Sequence, residues 1–255
     1  ELIVDKGSKL EANYNRIHEV RTRFEVLWRD AEIMALRKQL EDELPSQQIA
    51  RELAATKQRL QEDFKFIATA NVGGEFMSED KVTRIRAIAE TTWTRNFDDQ
   101  LGLSPIEEMN KVSRSSLPAK ESLLSDRPEH IVKRDRPLEF DPKHQIKMDV
   151  PEHLYNLGEV YNLSISRGTL TAEDRFKINE HMIGTIKMLE SLPFPKELSR
   201  VPRYASTHHE TLKGTGYPRR LTAEQLSIPE RILVISDIYE ALTAADRPYK
   251  KAKTI

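Results

Sequence analysis

Residues 10–34 read LEANYNRIHEVRTRFEVLWRDAEIM and point to a helical protein. Apolar or small side chains recur in this stretch at steps of three and four residues, the period of one face of an α-helix. They are Leu10, Tyr14, Ile17, Val20, Phe24, Leu27, Ala31 and Met34. This spacing predicts one long helix that continues to about Leu40.

A second helical stripe follows Pro45, a residue that interrupts helices. Its apolar positions are Ile49, Leu53, Leu60, Phe64 and Ile67. Two long stripes with a short break between them predict an antiparallel helical hairpin over residues 8–68, which Gly73-Gly74 ends.

Two shorter helices are predicted after the hairpin. Ser78 is a candidate N-cap for a helix that runs through Ile85 and Ile88 to Trp93. Ser104-Pro105-Ile106-Glu107 has the pattern of a capping box with proline at the first helical position.

The character of the chain changes over residues 111–150, which contain Pro118, Pro128, Pro137 and Pro142. We interpret this region as an extended connector on the surface, with a disordered linker as the alternative. Beyond it the apolar spacing predicts helices at about 154–163, 171–189, 197–212 and 228–245.

Composition restricts the class of protein. Among 255 residues, 40 Lys+Arg stand against 41 Asp+Glu, so the net charge of -1 argues against a binder of nucleic-acid polymers. The hydrophobic share of 38% and the charged share of 32% favour long solvated helices, that is, an all-α fold. No apolar stretch approaches about 20 residues, so we expect no membrane insertion by this chain.

Candidate metal ligands must be His, Asp or Glu, because the chain has no cysteine. His208 and His209 are adjacent, and neighbouring helical side chains diverge by about 100°, so the pair could reach two metals, or one metal and a substrate oxygen. Two surface histidines at a helix end are the alternative. His181 lies near an apolar helix face, as a ligand or as a core histidine.

Asp237 lies in the run ILVISDI at 232–238, which is apolar on nearly every side of a helix. A carboxylate buried there needs a metal, a cation or several donors. A buried salt bridge to an arginine is the alternative interpretation.

Two basic segments could recognise phosphate. KGTGYPRR at 213–220 combines glycines, which allow close backbone approach, with three basic residues. RPYKK at 247–251 is the second cluster. The alternatives are an ordinary tight turn and a solvated C-terminal end.

Together these motifs resemble the C-terminal part of an HD-GYP domain, a family of bacterial cyclic-di-GMP phosphodiesterases. The resemblance rests on RGTLTAEDRFKINEH at 167–181, HHETLKGTGYPRRL at 208–221 and RILVISDIYEALTAADRPYKKAKT at 231–254. VDKGSKLEANYNRIHEVRTRF at 4–24 resembles the segment that follows the family's His-Asp motif. The implied fold is a partial, all-α helical bundle of the HD superfamily with a helical-hairpin insertion.

The resemblance also implies roles by position. The implied ligands of two or three divalent metal ions, commonly iron or manganese, are His181, His208, His209 and Asp237. The implied substrate-binding residues are Gly214, Gly216, Tyr217, Pro218, Arg247 and Lys250. The implied reaction is hydrolysis of a phosphodiester of cyclic-di-GMP by a metal-bridging water.

The family's His-Asp pair and its following lysine are missing from this chain. They are expected upstream of Glu1, and so the catalytic residues are not identified here. Either both ends were cut from a complete enzyme, which we prefer, or the parent is degenerate. We expect this chain alone to bind metal weakly and to be inactive.

The implied division of the chain has three parts. Residues 1–24 begin the HD-GYP region, 25–150 form the helical insertion with its connector, and 151–255 form the C-terminal part. The expected function is that of a cytoplasmic phosphodiesterase region, as the output domain of a larger sensor. The alternative is a non-catalytic module for ligand-dependent protein association, with a homodimer through the helical hairpin.

Overall fold

A computed structural model describes residues 6–12, 15–41, 44–74, 76–111 and 116–243, and this part of the chain is mostly helical. Its α-helices are α1 Ile17–Leu40, α2 Ser46–Val72, α3 Glu79–Ala89, α4 Pro105–Asn110, α5 Glu159–Leu163, α6 Ala172–Asn179, α7 His181–Glu190, α8 Val201–Ala205 and α9 Ile228–Thr243. Its strands are β1 Thr92–Arg95, β2 Ala119–Ser122, β3 Ile131–Val132 and β4 Tyr155–Asn156. The predicted helical class is therefore confirmed, with short strands added.

The chain forms two compact units. The hairpin unit comprises the described residues of 5–133 and 153–171, and the histidine unit comprises those of 134–152 and 172–255. The division predicted at residues 24 and 150 stays a prediction, and these units group the residues differently. None of the helices in the described ranges is long and apolar enough to cross a membrane.

The helical hairpin is confirmed by contacts between α1 and α2. Lys38 pairs with Glu52 at 3.1 Å, and the rings of Phe24 and Phe64 lie 5.4 Å apart. Lys38 near the end of α1 meets Glu52 near the start of α2, and Phe24 nearer the start of α1 meets Phe64 nearer the end of α2. The two helices are therefore antiparallel. The hairpin core continues into α3, α5 and the two residues after β2 through a cluster of buried apolar side chains: Leu10, Val20, Phe24, Leu60, Ile67, Ala70, Ile85, Ile88, Ala89, Leu123, Leu124 and Leu163.

The prediction that helix α3 reaches Trp93 is wrong. The helix ends at Ala89, and Trp93 lies in β1, which pairs antiparallel with β2 from Thr92 opposite Ser122 to Arg95 opposite Ala119. Thr-Trp-Thr is a β-branched and aromatic run, the composition that strands favour. The connector is also not confined to the surface, because Leu123 and Leu124 are buried.

The capping box predicted at Ser104 is confirmed. The Glu107 N–H donates to Ser104 Oγ, and the Glu107 carboxylate accepts from the Ser104 N–H, so both ends of the first turn of α4 are satisfied.

In the histidine unit, the single helix predicted over about 171–189 is instead two helices, α6 and α7. The His181 ring donates through Nδ1 to the Ile178 carbonyl oxygen at 2.6 Å, at the junction of the two helices. Such local side-chain bonds compete with regular helix bonding. Beyond the break, Met182, Ile183 and Ile186 of α7 are buried as the spacing predicts.

Candidate metal centre

The turn after α8 places the adjacent histidines, and the helix predicted over 197–212 is wrong here. Three consecutive side chains bind the last carbonyls of α8: Ser206 Oγ donates to Arg203 O, Thr207 Oγ1 to Tyr204 O and His208 Nδ1 to Ala205 O, at 3.0, 3.1 and 2.8 Å. These bonds satisfy carbonyls that a continuing helix would use. His208 and His209 therefore lie in a turn rather than on a helix.

Because of that turn, three imidazoles converge. One ring nitrogen each of His181, His208 and His209 lies within 4.8 Å of the others. The His208 and His209 ring centroids are 4.1 Å apart, and His181 meets His209 edge-on at 5.2 Å. The divergence of neighbouring helical side chains does not apply to a turn, so the three histidines could share an ion.

Two of these histidines have a defined ring nitrogen left for a metal. His181 Nδ1 contacts the Ile178 carbonyl oxygen and His208 Nδ1 contacts that of Ala205. A carbonyl only accepts, so Nδ1 carries the proton in both rings and Nε2 keeps its lone pair. Metal-binding histidines commonly donate their other N–H to a carbonyl or carboxylate in this way.

Asp237 joins the cluster from α9. Its Oδ2 lies 3.3 Å from His209 Nδ1, but the side chain is 37% exposed, so the expected burial of this carboxylate is wrong. On the same side of α9, Glu230 is buried and accepts from Arg203 Nε at 2.7 Å. Glu230 and Asp237 thus turn the acidic face of α9 inward.

The apolar side of α9 faces outward as a consequence. Five exposed large side chains form a stripe with steps of three and four residues: Ile228, Ile232, Ile235, Tyr239 and Leu242. Leu233 and Ile238 are exposed beside them. The apolar residues of α9 alone predict that this face is buried. Composition carries no information about the contacts of Glu230 with Arg203 and of Asp237 with His209, which set the orientation.

Burial and charge keep His209 neutral. Its pKa is lowered from 6.5 to about 4, chiefly because the ring is removed from water and secondly because His208 lies beside it, while Asp237 acts in the opposite direction. Burial, with Asp237 nearby, raises the pKa of Tyr217 to about 12. At neutral pH the imidazole is therefore a free base, as a metal ligand must be, and the phenol is protonated.

The loop after the histidines covers this cluster. The Tyr217 ring stacks on His209 with centroids 4.8 Å apart and planes 27° apart. Gly214 has a φ of 71°, in the left-handed region that glycine adopts without strain. Pro218 is buried, and its carbonyl accepts from the Lys147 N–H at 2.8 Å. Arg247 and Lys250 lie outside the described residues.

From the sequence, Glu210 has no assigned role, and Arg219 is one of three basic residues that could recognise phosphate. The Arg219 guanidinium instead bonds to His144, Ser206 and Glu190, so this candidate role is wrong. Glu210 and Arg219 are both buried and interact with the loop. Glu210 could have been singled out from the sequence because it directly follows two candidate ligands. A charged residue buried beside a metal centre requires specific partners.

The donor set suits a divalent transition metal. Imidazole nitrogen with one carboxylate and no sulfur fits iron, manganese or zinc, so the residues present are compatible with the implied metals without selecting one.

Known proteins resemble this chain over its second half. A family model described as HD domain matches residues 118–255. The chain is 38% identical over 105 residues to 3'3'-cGAMP-specific phosphodiesterase 3 of Vibrio cholerae, covering 40% of this chain and 22% of that protein. It is 33% identical over 106 residues to a cyclic di-GMP phosphodiesterase of the same organism, covering 39% and 21%.

A relative from Thermotoga maritima, also named cyclic di-GMP phosphodiesterase, is 29% identical over 112 residues, or 44% of this chain and 30% of that protein. The chain therefore matches less than a third of the length of each of these relatives. No solved structure matches the chain.

Proposed function

Because the chain belongs to the HD domain family, we propose that it is the metal-binding and substrate-binding part of a phosphodiesterase that hydrolyses a cyclic dinucleotide. The observation that carries the proposal is the convergence of His181, His208 and His209 within 4.8 Å, with Asp237 against His209. These are the four residues implied as ligands by sequence resemblance.

Each residue of the centre has a task in this proposal. His181 and His208 present Nε2 to the ion, since Nδ1 of each is engaged with a carbonyl. Asp237 supplies negative charge, which offsets that of a bound cation. A divalent ion, if held by these residues, would supply a water of lowered pKa and polarisation of a phosphoryl oxygen. Tyr217 covers one face of His209 and limits the access of bulk water.

The names of the relatives, which refer to 3'3'-cGAMP and to cyclic di-GMP, support a cyclic dinucleotide as the substrate class. We propose cyclic-di-GMP as the substrate, bound by the loop of Gly214, Gly216, Tyr217 and Pro218 with the cations Arg247 and Lys250. Two or three ions, iron or manganese, a cytoplasmic location and a place as output domain of a sensor belong to the same proposal.

The metal content of the natural protein that carries this chain tests the proposal first, because this chain alone is expected to bind metal weakly. After growth with iron and manganese, mass spectrometry is expected to find metal in the wild-type protein and little in H209A. The control is H18A, which removes an exposed histidine of the hairpin unit and is expected to keep the metal. Equal metal in wild type and H209A would contradict the assignment.

The reaction is tested with the natural protein that carries this chain, since the relatives are much longer than the matched part. Release of linear product from cyclic-di-GMP and from 3'3'-cGAMP is measured by chromatography. The H208A variant is expected to lose turnover of both. Retained turnover would refute the metal role, and turnover of 3'3'-cGAMP alone would correct the substrate.

A second function is favoured by exposed apolar side chains at the far end of the hairpin. Met34, Leu36 and Leu40 are exposed there. We propose as the alternative that the chain associates with a second copy through the hairpin in response to a ligand. Light scattering at several concentrations, with and without cyclic-di-GMP, tests this, and a monomer under every condition would contradict it.

A further inference from the structure

Glu210 ties the histidine turn to the loop that follows it. It directly succeeds His209 and is 1% exposed. Its Oε1 accepts from the Arg219 N–H at 2.7 Å, and its Oε2 accepts from the Leu221 N–H at 2.8 Å. Both carboxylate oxygens thus hold backbone groups at the returning end of the loop, and hydrogen bonds to a charged acceptor are the stronger kind.

The Arg219 side chain anchors the same end of the loop to the rest of the histidine unit. Its Nε donates to the His144 carbonyl at 2.8 Å, Nη1 donates to Ser206 Oγ at 2.7 Å, and Nη2 lies 3.4 Å from Glu190 Oε1. Ser206 in turn ends α8. The returning end of the loop is therefore held twice. The Glu210 carboxylate binds its backbone, and the Arg219 side chain binds His144 and Ser206.

The same loop places Tyr217 in contact with His209. The Tyr217 N–H donates to the His209 carbonyl at 3.2 Å while the two rings stack. At Gly216 the loop backbone comes so close that an added Cβ would lie 2.5 Å from Glu210 Cα. Tyr217 is thus held beside His209 by its own N–H and by the close approach at Gly216, while Glu210 binds the returning end of the same loop.

We infer that Glu210 is a positioning residue that holds Tyr217 against His209 and so sets the geometry of the metal centre. This inference rests on the proposed function for its metal-binding consequence. Its structural part, the stacking of Tyr217 on His209, has a test that does not involve metal.

The test substitutes Glu210→Gln. Glutamine has the same size and keeps one acceptor, but its amide nitrogen cannot accept from the second loop N–H. We expect the affinity for Co²⁺, followed by its visible absorption, to fall by about 10–100-fold, the usual effect of losing a group that orients metal ligands. The control is E159Q in the hairpin unit, where the buried Glu159 also accepts a backbone N–H, from Ser125, and an arginine. It is expected to bind Co²⁺ as the wild type does.

A second readout does not need metal. In wild-type protein treated with chelator, ring stacking is expected to shift the His209 proton resonances upfield, and H209A identifies those resonances. In E210Q they are expected to move toward the values of an unstacked histidine. Unchanged His209 resonances, or a Co²⁺ affinity reduced no more than in E159Q, would overturn the inference. Absence of Co²⁺ binding by the natural protein that carries this chain would refute the proposed function, and the resonances would still decide the role of Glu210.

Discussion

Several charged side chains of this protein are buried against backbone groups, and Lys9 is one that lies outside the candidate site. It is 1% exposed, and its Nζ donates to the carbonyls of Leu163 and Ile165 at 2.8 and 3.0 Å, at the C-terminal end of α5. Burial, with a smaller effect of Lys81, lowers its pKa from 10.5 to about 8. Because the ammonium is removed from water, Lys9 loses its proton more easily in the native state than in the unfolded chain.

This shift predicts a stability that rises with pH. Between about pH 8 and pH 10.5 the unfolded chain keeps a proton on Lys9 that the native chain has lost, so the free energy of unfolding increases through that window, by about 3 kcal/mol in total. Urea unfolding followed by the fluorescence of Trp28 and Trp93, both in the hairpin unit, measures it. The difference between wild type and K9M isolates this residue, and a difference independent of pH would contradict the shifted pKa.

Gly216 gives a second prediction at this scale. A methyl group there would lie 2.5–2.6 Å from the backbone of His209 and Glu210, which cannot rotate away. We expect G216A to lower the melting temperature and to weaken Co²⁺ binding strongly. G184A is the matched control, because an added Cβ at this exposed position of α7 meets nothing within 4 Å. Alanine is the better helix former by about 0.5–1 kcal/mol, so G184A should be slightly more stable. A G216A variant with the melting temperature and Co²⁺ affinity of the wild type would contradict the close approach of the loop backbone to His209 and Glu210.

In the helical hairpin, we expect substitutions of core residues to lower the free energy of unfolding much more than substitutions of exposed residues. Ile67 of α2 is 0% exposed within the core cluster, so I67A is expected to lose about 2–5 kcal/mol of unfolding free energy. Leu40, at the end of α1, is 84% exposed, and L40A should change stability by about 0.5 kcal/mol or less. Urea unfolding of both variants measures the difference, and similar losses would contradict the assigned core.

The same elements show what the sequence can predict. The hairpin follows from two regular apolar stripes and a proline, and α4 follows from its capping box, because these signals are local. Trp93 was assigned to a helix because its spacing fits one, whereas its strand depends on pairing with residues 119–122, which lie far along the chain. The orientation of α9 depends on Arg203 and His209, which also come from other elements.

The candidate site also depends on contacts between distant residues, but one local sequence signal could have predicted its turn. Its histidines and loop were identified by resemblance, but their convergence requires the turn at 206–210. The run Ser206-Thr207-His208 supplies three side chains that bind the carbonyls of α8. Ser, Thr and His in succession near a helix end therefore signal the turn. Glu210 required the structure, since its partners are backbone N–H groups.

For the whole molecule, metal binding and folding are linked if the proposed centre exists, because an ion that binds only the native state stabilises it. At a free Mn²⁺ concentration of 100 times the dissociation constant, the gain is about 2.7 kcal/mol. Thermal unfolding by circular dichroism should therefore shift upward with Mn²⁺ and return on adding chelator. H208A should show no shift, and H18A should shift as the wild type does. An equal shift in H208A would mean that Mn²⁺ binds elsewhere on the chain.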